Sequence, residues 1–385
     1  MRAMKDSGIE WIGSIPEHWE IAYLKRFCKV NSGREIEIEL EQDSDNAVPV
    51  YGSGGVFKYT NKPQFNGEAV MFGRKGTLGK PIYANGRFWA VDTMYYLTFG
   101  NLLEARYCFY QLVAFNWEPY ITQTALPSIV ATDIVNTSFA FPPITEQQAI
   151  ADYLDKKCAE VDEMIALQEQ IIEELKAYKQ SVITEAVTKG LNPAAPMRDS
   201  GIEWIGQIPE HWEVARLKFY ASIDSGDAIS NEQIDRDGEY PVFGGGEIMG
   251  YYSQYNTDED KLIIGRVGAR CGCVTMPKQK CWASDNALVL KSCLPLKYTY
   301  HLLQAINLNR LNTSNAQPLI TATKVKNVFI PLTPPTEQQA IADYLDEKCA
   351  DIDSLIQTKQ SKIDILKEYK KSIIYEYVTG KREVE

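Results

Sequence analysis

Apolar residues recur with a seven-residue period over two long stretches of the chain and fall into short runs elsewhere. In the first stretch, residues 145–188, one seam position holds Leu154, Val161, Gln168, Leu175 and Val182, and the other holds Cys158, Ile165, Ile172, Lys179 and Ala186. The second stretch, residues 336–379, matches it position for position: Leu345, Ile352, Lys359, Leu366 and Ile373 alternate with Cys349, Ile356, Ile363, Lys370 and Tyr377. A sustained heptad predicts helices that pack along a seam. At 1.5 Å per residue each would be a rod of roughly 60 Å. So long a helix needs a partner for its apolar stripe, and the other copy is the nearest one. Gln168 and Lys359 should weaken that seam while fixing its register.

Start and stop signals bound both helices. Each opens on Thr-Glu-Gln-Gln-Ala-Ile-Ala-Asp-Tyr-Leu-Asp, and Thr145 with Gln148, like Thr336 with Gln339, fits a capping box. Pro143 and Pro335 stand just upstream, Gly190 and Gly380 lie where a glycine would end the helix, and Asn192-Pro193 seals the first exit.

The doubling extends beyond the helices. Residues 6–20, Asp-Ser-Gly-Ile-Glu-Trp-Ile-Gly-Ser-Ile-Pro-Glu-His-Trp-Glu, recur at 199–213 with only Ser14 replaced by Gln207. Two tryptophans, a glycine turn and Ile-Pro in so short a block predict an aromatic clasp docked on a domain edge. Between clasp and helix the sequence is rich in β-formers, aromatics and glycine turns, with strands expected over 47–51, 69–72 and 94–99 and a short helix over 104–115. This pattern returns more weakly over 214–333. Val-Pro-Val-Tyr-Gly-Ser-Gly-Gly at 48–55 answers Tyr-Pro-Val-Phe-Gly-Gly-Gly-Glu at 240–247; Gly-Arg-Lys-Gly at 73–76 answers Gly-Arg-Val-Gly at 265–268. Helices and clasp are nearly identical between copies, whereas the globular parts share turns and a few anchors. One scaffold carrying two differently tuned heads has this form.

Composition narrows the chemistry. A net charge of -11 argues against nucleic-acid binding through bulk positive charge, but the helices carry most of the excess acid and leave the heads neutral to slightly basic. No run approaches the roughly 20 apolar residues of a membrane span, and no apolar signal core follows the first residues, so a soluble, cytoplasmic protein is expected. Cys271, Cys273 and Cys281 cluster without the spacing of a zinc site, and no metal is expected. His18 and His211 have no accompanying nucleophile and read as packed or capping imidazoles. Phe-Pro-Pro and Thr-Pro-Pro before the helices lack the Asn or Asp that an amino-methyltransferase motif requires. With no paired carboxylates or nucleophile elbow, the chain reads as a recogniser rather than an enzyme.

The polar candidates gather at the glycine turns. Gly54 and Gly245 lie in turns that let backbone approach something closely, though neither opens a nucleotide-binding strand-to-helix turn. Arg74 and Arg266, each flanked by glycine, suit phosphate contact or bidentate reading of guanine as well as they suit a solvated turn. Arg34, Lys58, Lys75, Gln123 and Thr124 accompany them in the first head, and Arg270, Asn315 and Gln317 in the second.

The clasp, the duplicated Thr-Glu-Gln-Gln helix starts behind Pro-Pro (Pro-Pro-Ile-Thr in the first copy, Pro-Pro-Thr in the second) and the two-fold repeat together resemble the specificity subunit of type I restriction-modification systems, over essentially the whole chain. The resemblance implies an α+β architecture: two globular α/β target-recognition domains with mixed β-sheet, joined by two long antiparallel coiled-coil helices in a tandem pseudo-two-fold repeat. The expected division is 1–144 for the first domain, 145–190 for the first spacer helix, 191–335 for the second domain, 336–380 for the second helix and 381–385 for a tail. The recognition domains proper would be about 21–142 and 214–333. The helix-pair interface would be made by Leu154, Val161, Ile165, Ile172, Leu175, Val182, Leu345, Ile352, Ile356, Ile363, Leu366 and Ile373. The resemblance further implies a non-catalytic chain on double-stranded DNA with a bipartite site, two modification methyltransferase subunits and two restriction-translocase subunits as partners. S-adenosylmethionine is expected on the methyltransferase, and no cofactor or membrane contact on this chain. The other reading of the residues is a coiled-coil scaffold whose two heads bind protein or carbohydrate.

Overall fold

A computed structural model describes residues 2–312 and 318–384. The chain forms two compact units, Met1–Gln168 together with Ser361–Glu385, and Glu169–Gln360. Four helices frame them: α1 (Ala105–Ala114), α2 (Ile144–Lys189), α3 (Leu296–Ile306) and α4 (Pro335–Val378). The unit boundaries fall inside α2 and α4, so each unit contains the start of one long helix and the end of the other. Among the described residues no helix is long and apolar enough to cross a membrane.

The head of the first unit holds two four-stranded sheets. One is antiparallel, with Cys28–Ser32, Met94–Phe99, Ala69–Gly73 and Ile82–Ala84 in that order. The other is mixed, because Val48–Gly52 pairs antiparallel with Gly55–Thr60 and parallel with Arg87–Ala90. The second head repeats this plan: an antiparallel sheet of Ala221–Ser225, Ala287–Ser292, Leu262–Gly265 and Val274–Thr275, and a mixed one in which Tyr240–Phe243 pairs parallel with Trp282–Ala283. Helix α1 starts as expected, with Glu104 at its N-cap accepting the N–H of Tyr107 at 2.7 Å.

Each head is packed onto the long helices rather than tethered to them. In the first unit Phe72, Tyr107 and Phe139 share one buried cluster with Ile150 and Leu154 of α2 and with Ile373, Ile374 and Tyr377 of α4. In the second, Leu262, Ile264 and Tyr298 share a cluster with Ile341 and Leu345 of α4 and with Ile183 and Val187 of α2. Burying such side chains contributes about 1.5–3 kcal/mol each.

Within each unit the two helix segments run antiparallel. Lys370 reaches both carboxylate oxygens of Asp162 at 2.7 and 2.6 Å in the first unit, and Lys179 reaches both of Asp353 at 2.8 and 2.7 Å in the second. Asp162 and Asp353 are equivalent positions of the repeat, as are Lys179 and Lys370, so one lock occurs twice. Exposed pairs contribute about 0–1 kcal/mol, so their effect is on register more than on stability. Of the seam residues, Leu154, Val161, Ile172, Leu345, Ile352, Ile363 and Ile373 are buried, and Ile165, Leu175, Val182, Ile356 and Leu366 are half-buried. Gln168 is buried as well, and its Oε1 has no partner among the described residues.

The helix starts differ from the expected capping box. The helices begin at Ile144 and Pro335, which places Thr145 and Thr336 inside the first turn. The carbonyl of Pro143 accepts the N–H groups of Glu146 and Gln147, and that of Pro334 those of Glu337 and Gln338. The amides of Gln147 and Gln338 then bond back to the carbonyls of Pro142 and Thr333, at 2.9 and 2.7 Å. Prolines with φ already near helical values favour this earlier start.

The first acid of each helix explains the clasp. Glu146 accepts His18 Nε2 at 2.8 Å and the Trp19 indole N–H at 3.1 Å; Glu337 accepts His211 Nε2 at 2.7 Å and the Trp212 indole at 3.0 Å. A carboxylate at a helix N-terminus is itself favoured by the backbone dipole. The glycine that ends the other long helix completes the seat. Gly380 (φ +69°) leaves no room for a Cβ, which would lie 2.4 Å from the Pro16 ring, and Gly190 (φ +75°) lies against the Trp212 ring.

Candidate nucleic-acid interface

In the first head four loops meet at one end of the sheets. The turn 52–55 touches the loop 73–79, because Ser53 Oγ accepts the Thr77 N–H at 3.1 Å and a Cβ on Gly76 would lie 2.8 Å from that oxygen. Arg74 joins the other two loops through its backbone, donating its N–H to Thr93 at 2.7 Å and accepting that of Ile129 at 3.0 Å. Arg74 is therefore a strap across three loops, and this fixed backbone aims its exposed guanidinium, 6.0 Å from the Tyr95 ring centre. The fourth loop, 122–128, is closed at its base by Thr122 and Ser128, through backbone and hydroxyl bonds of 3.0 to 3.1 Å.

This cluster gathers most of the expected polar residues. Lys75, Gln123 and Thr124 are exposed beside Arg74, and Gly54 is exposed with nothing within 4 Å of a Cβ added there. Arg34 is exposed at the same end, its backbone held by Ala90 and by the Trp89 indole. Lys58 stands apart, on the strand beyond the turn, where Glu39 holds its ammonium at 2.6 Å.

Among its described residues the second head repeats the arginine strap with different side chains around it. Arg266 donates its N–H to Asn286 and accepts that of Ile320, which is the Arg74 strap again. Its guanidinium is less free, because Nη1 bonds the Asp285 carbonyl at 3.3 Å and the buried Nε has no partner among the described residues. Arg270 is exposed but paired with Glu247. Gly245 packs so closely that a Cβ would lie 2.6 Å from the Val267 carbonyl oxygen; here loop packing alone demands glycine. Asn315 and Gln317 lie outside the described residues. Of the clustered Cys271, Cys273 and Cys281, the first and last are buried and Cys273 is exposed; burial pushes both buried thiols up, Cys281 to about 12.

Sequence reasoning placed the arginines but missed Ser53, Thr93 and the Thr122–Ser128 staple that position them. Their signal is weak, since small polar residues in loops are common. It also missed Glu146 and Glu337 as the seats of the clasp, although the near-identity of clasp and helix start between copies pointed to mutual contact.

The profile of the family described as "Type I restriction modification DNA specificity domain" matches residues 16–177 and again 209–377. The chain belongs to this family. As a specificity chain of the type I family it recognises DNA, and the reading as a scaffold with protein- or carbohydrate-binding heads is not favoured. It is similar to the type I restriction enzyme MjaVIII specificity subunit of Methanocaldococcus jannaschii, with 23% identity over 95% of this chain and 93% of that one. It is also similar to the EcoprrI specificity subunit of Escherichia coli, at 34% identity over 32% of each chain. In fold it resembles a chain from a structure on complex assembly and conformational transition of the type I restriction-modification system, with a TM-score of 0.71, 16% identity and coverage of 94% and 98%. The HsdS subunit from Thermoanaerobacter tengcongensis aligns with a TM-score of 0.50 and 17% identity over 96% and 98%.

Proposed function

We propose that each head reads one half of a bipartite DNA site, that the two long helices set the unread spacer, and that the repeat docks two modification methyltransferase subunits. One observation carries the reading: the same backbone strap through an arginine, Arg74 in one head and Arg266 in the other, holds both heads' loops, but Lys75, Gln123 and Thr124 accompany it in the first and Arg270 in the second. A fixed backbone with exchanged side chains is how two different short sequences can be read in the same manner. Reaction chemistry and S-adenosylmethionine then belong to the methyltransferase, restriction-translocase subunits join the larger complex, and this chain is non-catalytic.

The long helices support the docking part. Tyr178 and Tyr369 are equivalent in the repeat and 59% and 50% exposed; Met164 and Leu355 are likewise equivalent and 44% and 49% exposed. Large apolar side chains left exposed twice at the same helix positions suit a surface that meets the same partner twice. The test of the heads is exchange: replacing residues 214–333 by a different domain should change one half-site only in the methylation map of a host expressing both subunits. A change in both halves, or in neither, would refute the two-head reading.

A further inference from the structure

Among the positions next to the clasp at which the two units differ, Arg2 stands where the second unit has Ala195. In the first unit, Arg2 lies in a seat made by three kinds of group, and it also donates to the carbonyl of Arg382 at 3.2 Å. Its guanidinium bonds Glu146 Oε1 at 2.9 Å and the carbonyl of Gly380 at 2.7 Å, and sits 5.7 Å from the centre of the Trp19 ring. A carboxylate, the carbonyl end of a helix and an indole face each favour a cation, and a planar guanidinium engages all three at once.

The second unit builds the same seat. Met197 pairs with Pro209 as Met4 pairs with Pro16, and the carbonyl of Pro196 accepts the Glu210 N–H as that of Ala3 accepts the Glu17 N–H. The residue before Ala3 is Arg2, and the residue before Pro196 is Ala195. Glu337, the Gly190 helix end and Trp212 stand as their counterparts do, yet the position that supplies the guanidinium ends at a methyl group.

A cavity of about 460 Å³ opens there, lined by Ala195, Gly190, Leu191, His211, Glu337 and Ile341. The Glu337 side chain is 38% exposed, against 25% for Glu146. Lys189 also reaches the cavity wall, but its ammonium is paired with Glu185 at 3.2 Å. A second cavity of about 740 Å³ shares residues 189–192 with the first and continues past Tyr178, Val182 and Tyr344. Glu337 lines the first cavity and Glu185, already paired with Lys189, the second.

We propose that the second unit carries an arginine-binding pocket, at Glu337, His211 and the Gly190 helix end, with the buried Trp212 bonded to Glu337 behind it, that takes an arginine side chain of a partner polypeptide. In the first unit Arg2 fills the equivalent pocket from within the chain. The repeat thus offers one closed and one open seat, and only the second unit can accept an arginine from outside.

The test uses the full chain with 5-fluorotryptophan at its seven tryptophans, titrated with N-acetyl-arginine-N-methylamide and, as the neutral isostere, the citrulline analogue. The arginine compound should shift the Trp212 fluorine signal saturably and leave Trp19 in place, and the citrulline compound should shift neither. Ala195→Arg should abolish the Trp212 response by filling the pocket in cis. Arg2→Ala should create a new response at Trp19. Equal effects of arginine and citrulline, a Trp212 response that survives Ala195→Arg, or an unresponsive Trp19 in Arg2→Ala would each overturn the proposal. None of these readouts involves DNA, so the outcome is independent of the recognition function.

Discussion

His301 in the second unit gives a pH dependence that its counterpart in the first unit lacks. It is 2% exposed on α3, with Nε2 bonded to Asp346 of α4 at 2.9 Å and Nδ1 without a partner among the described residues. Gln304 of its own helix, Asp346 of α4 and Lys179 of α2 are the charged and polar groups that act on it, and Lys297 shares the Asp346 carboxylate. Burial is the largest effect and lowers its pKa; the attraction of Asp346 opposes this without winning. A histidine whose folded pKa is lowered stabilises the fold fully above the unfolded value of about 6.5, and that stability is lost as pH falls below it. At pH 5.5, one unit below, linkage allows a loss of up to about 1.4 kcal/mol. Asp346 titrates in a lower window, its pKa lowered from 3.8 chiefly by Lys297 and His301 against the effect of burial, so the two effects separate. In the first unit the equivalent residue is Tyr110, which donates to Asp155 at 2.7 Å. The variant His301→Tyr therefore transplants a partner that does not titrate near neutral pH. Hydrogen exchange of peptides from α3, corrected for intrinsic rates, should lose up to about tenfold more protection between pH 7.5 and 5.5 in the natural chain than in His301→Tyr. Equal pH dependence in the two proteins would refute the reasoning, as would greater protection of the natural chain at acid pH.

Three further outcomes follow from named contacts. Glu337→Ala removes the acceptor of His211 and of the buried Trp212 indole and should lower stability by about 1–3 kcal/mol in urea unfolding, since charged hydrogen bonds of partly exposed groups are involved; a change within 0.5 kcal/mol would show that the clasp does not depend on this acid. Gly245→Ala sets a Cβ against the Val267 carbonyl and should cost about 1–3 kcal/mol, whereas Gly54→Ala meets open space and should stay within about 0.5 kcal/mol, both read by thermal melting. Arg74→Ala should weaken binding of the assembled methyltransferase to the half-site of the first head by about 1–3 kcal/mol, while Lys58→Ala, whose ammonium is already held by Glu39, should do little; the opposite order in a binding titration would place the interface elsewhere.

The elements that could be read from the sequence are those with long period or exact repetition. Seven-residue spacing identified the long helices to within a residue at each end, and the repeated clasp announced a docking block. The expected helix α1 and strands 69–72 and 94–99 also lie where helical spacing and runs of β-forming and aromatic residues placed them. The misses are local. Thr145 and Thr336 have the side chains of N-caps, but a capping box competes with the preceding prolines, and backbone preorganisation wins. At the loops, residue type suggested chemistry and could not reveal tethering. Arg74 and Arg266 occupy the same strap, yet only the structure shows one guanidinium exposed and the other bonded to the Asp285 carbonyl. Such differences depend on contacts between loops distant in sequence, which periodicity does not encode.

Comparison of the two repeats separates what the scaffold requires from what each head chooses. Asp155 and Asp346 are one repeat position, and each ties the short helix of its head to a long helix. Asp155 does so through Tyr110 and Arg106, at 2.7 Å each, and Asp346 through His301 and Lys297, at 2.9 and 2.6 Å. The carboxylate on the long helix is held constant while both of its partners on the head have changed, and each replacement is again a hydrogen-bond donor beside a cation. Chemistry at the joint is therefore constrained even where residue identity is not. A head that keeps a donor and a cation at these two positions should remain compatible with the helices whatever its loops display. Exchanging Tyr110 and Arg106 for His and Lys should accordingly leave a folded first unit with the pH sensitivity of the second; an unfolded unit, or one indifferent to pH, would mean that the two joints are not equivalent.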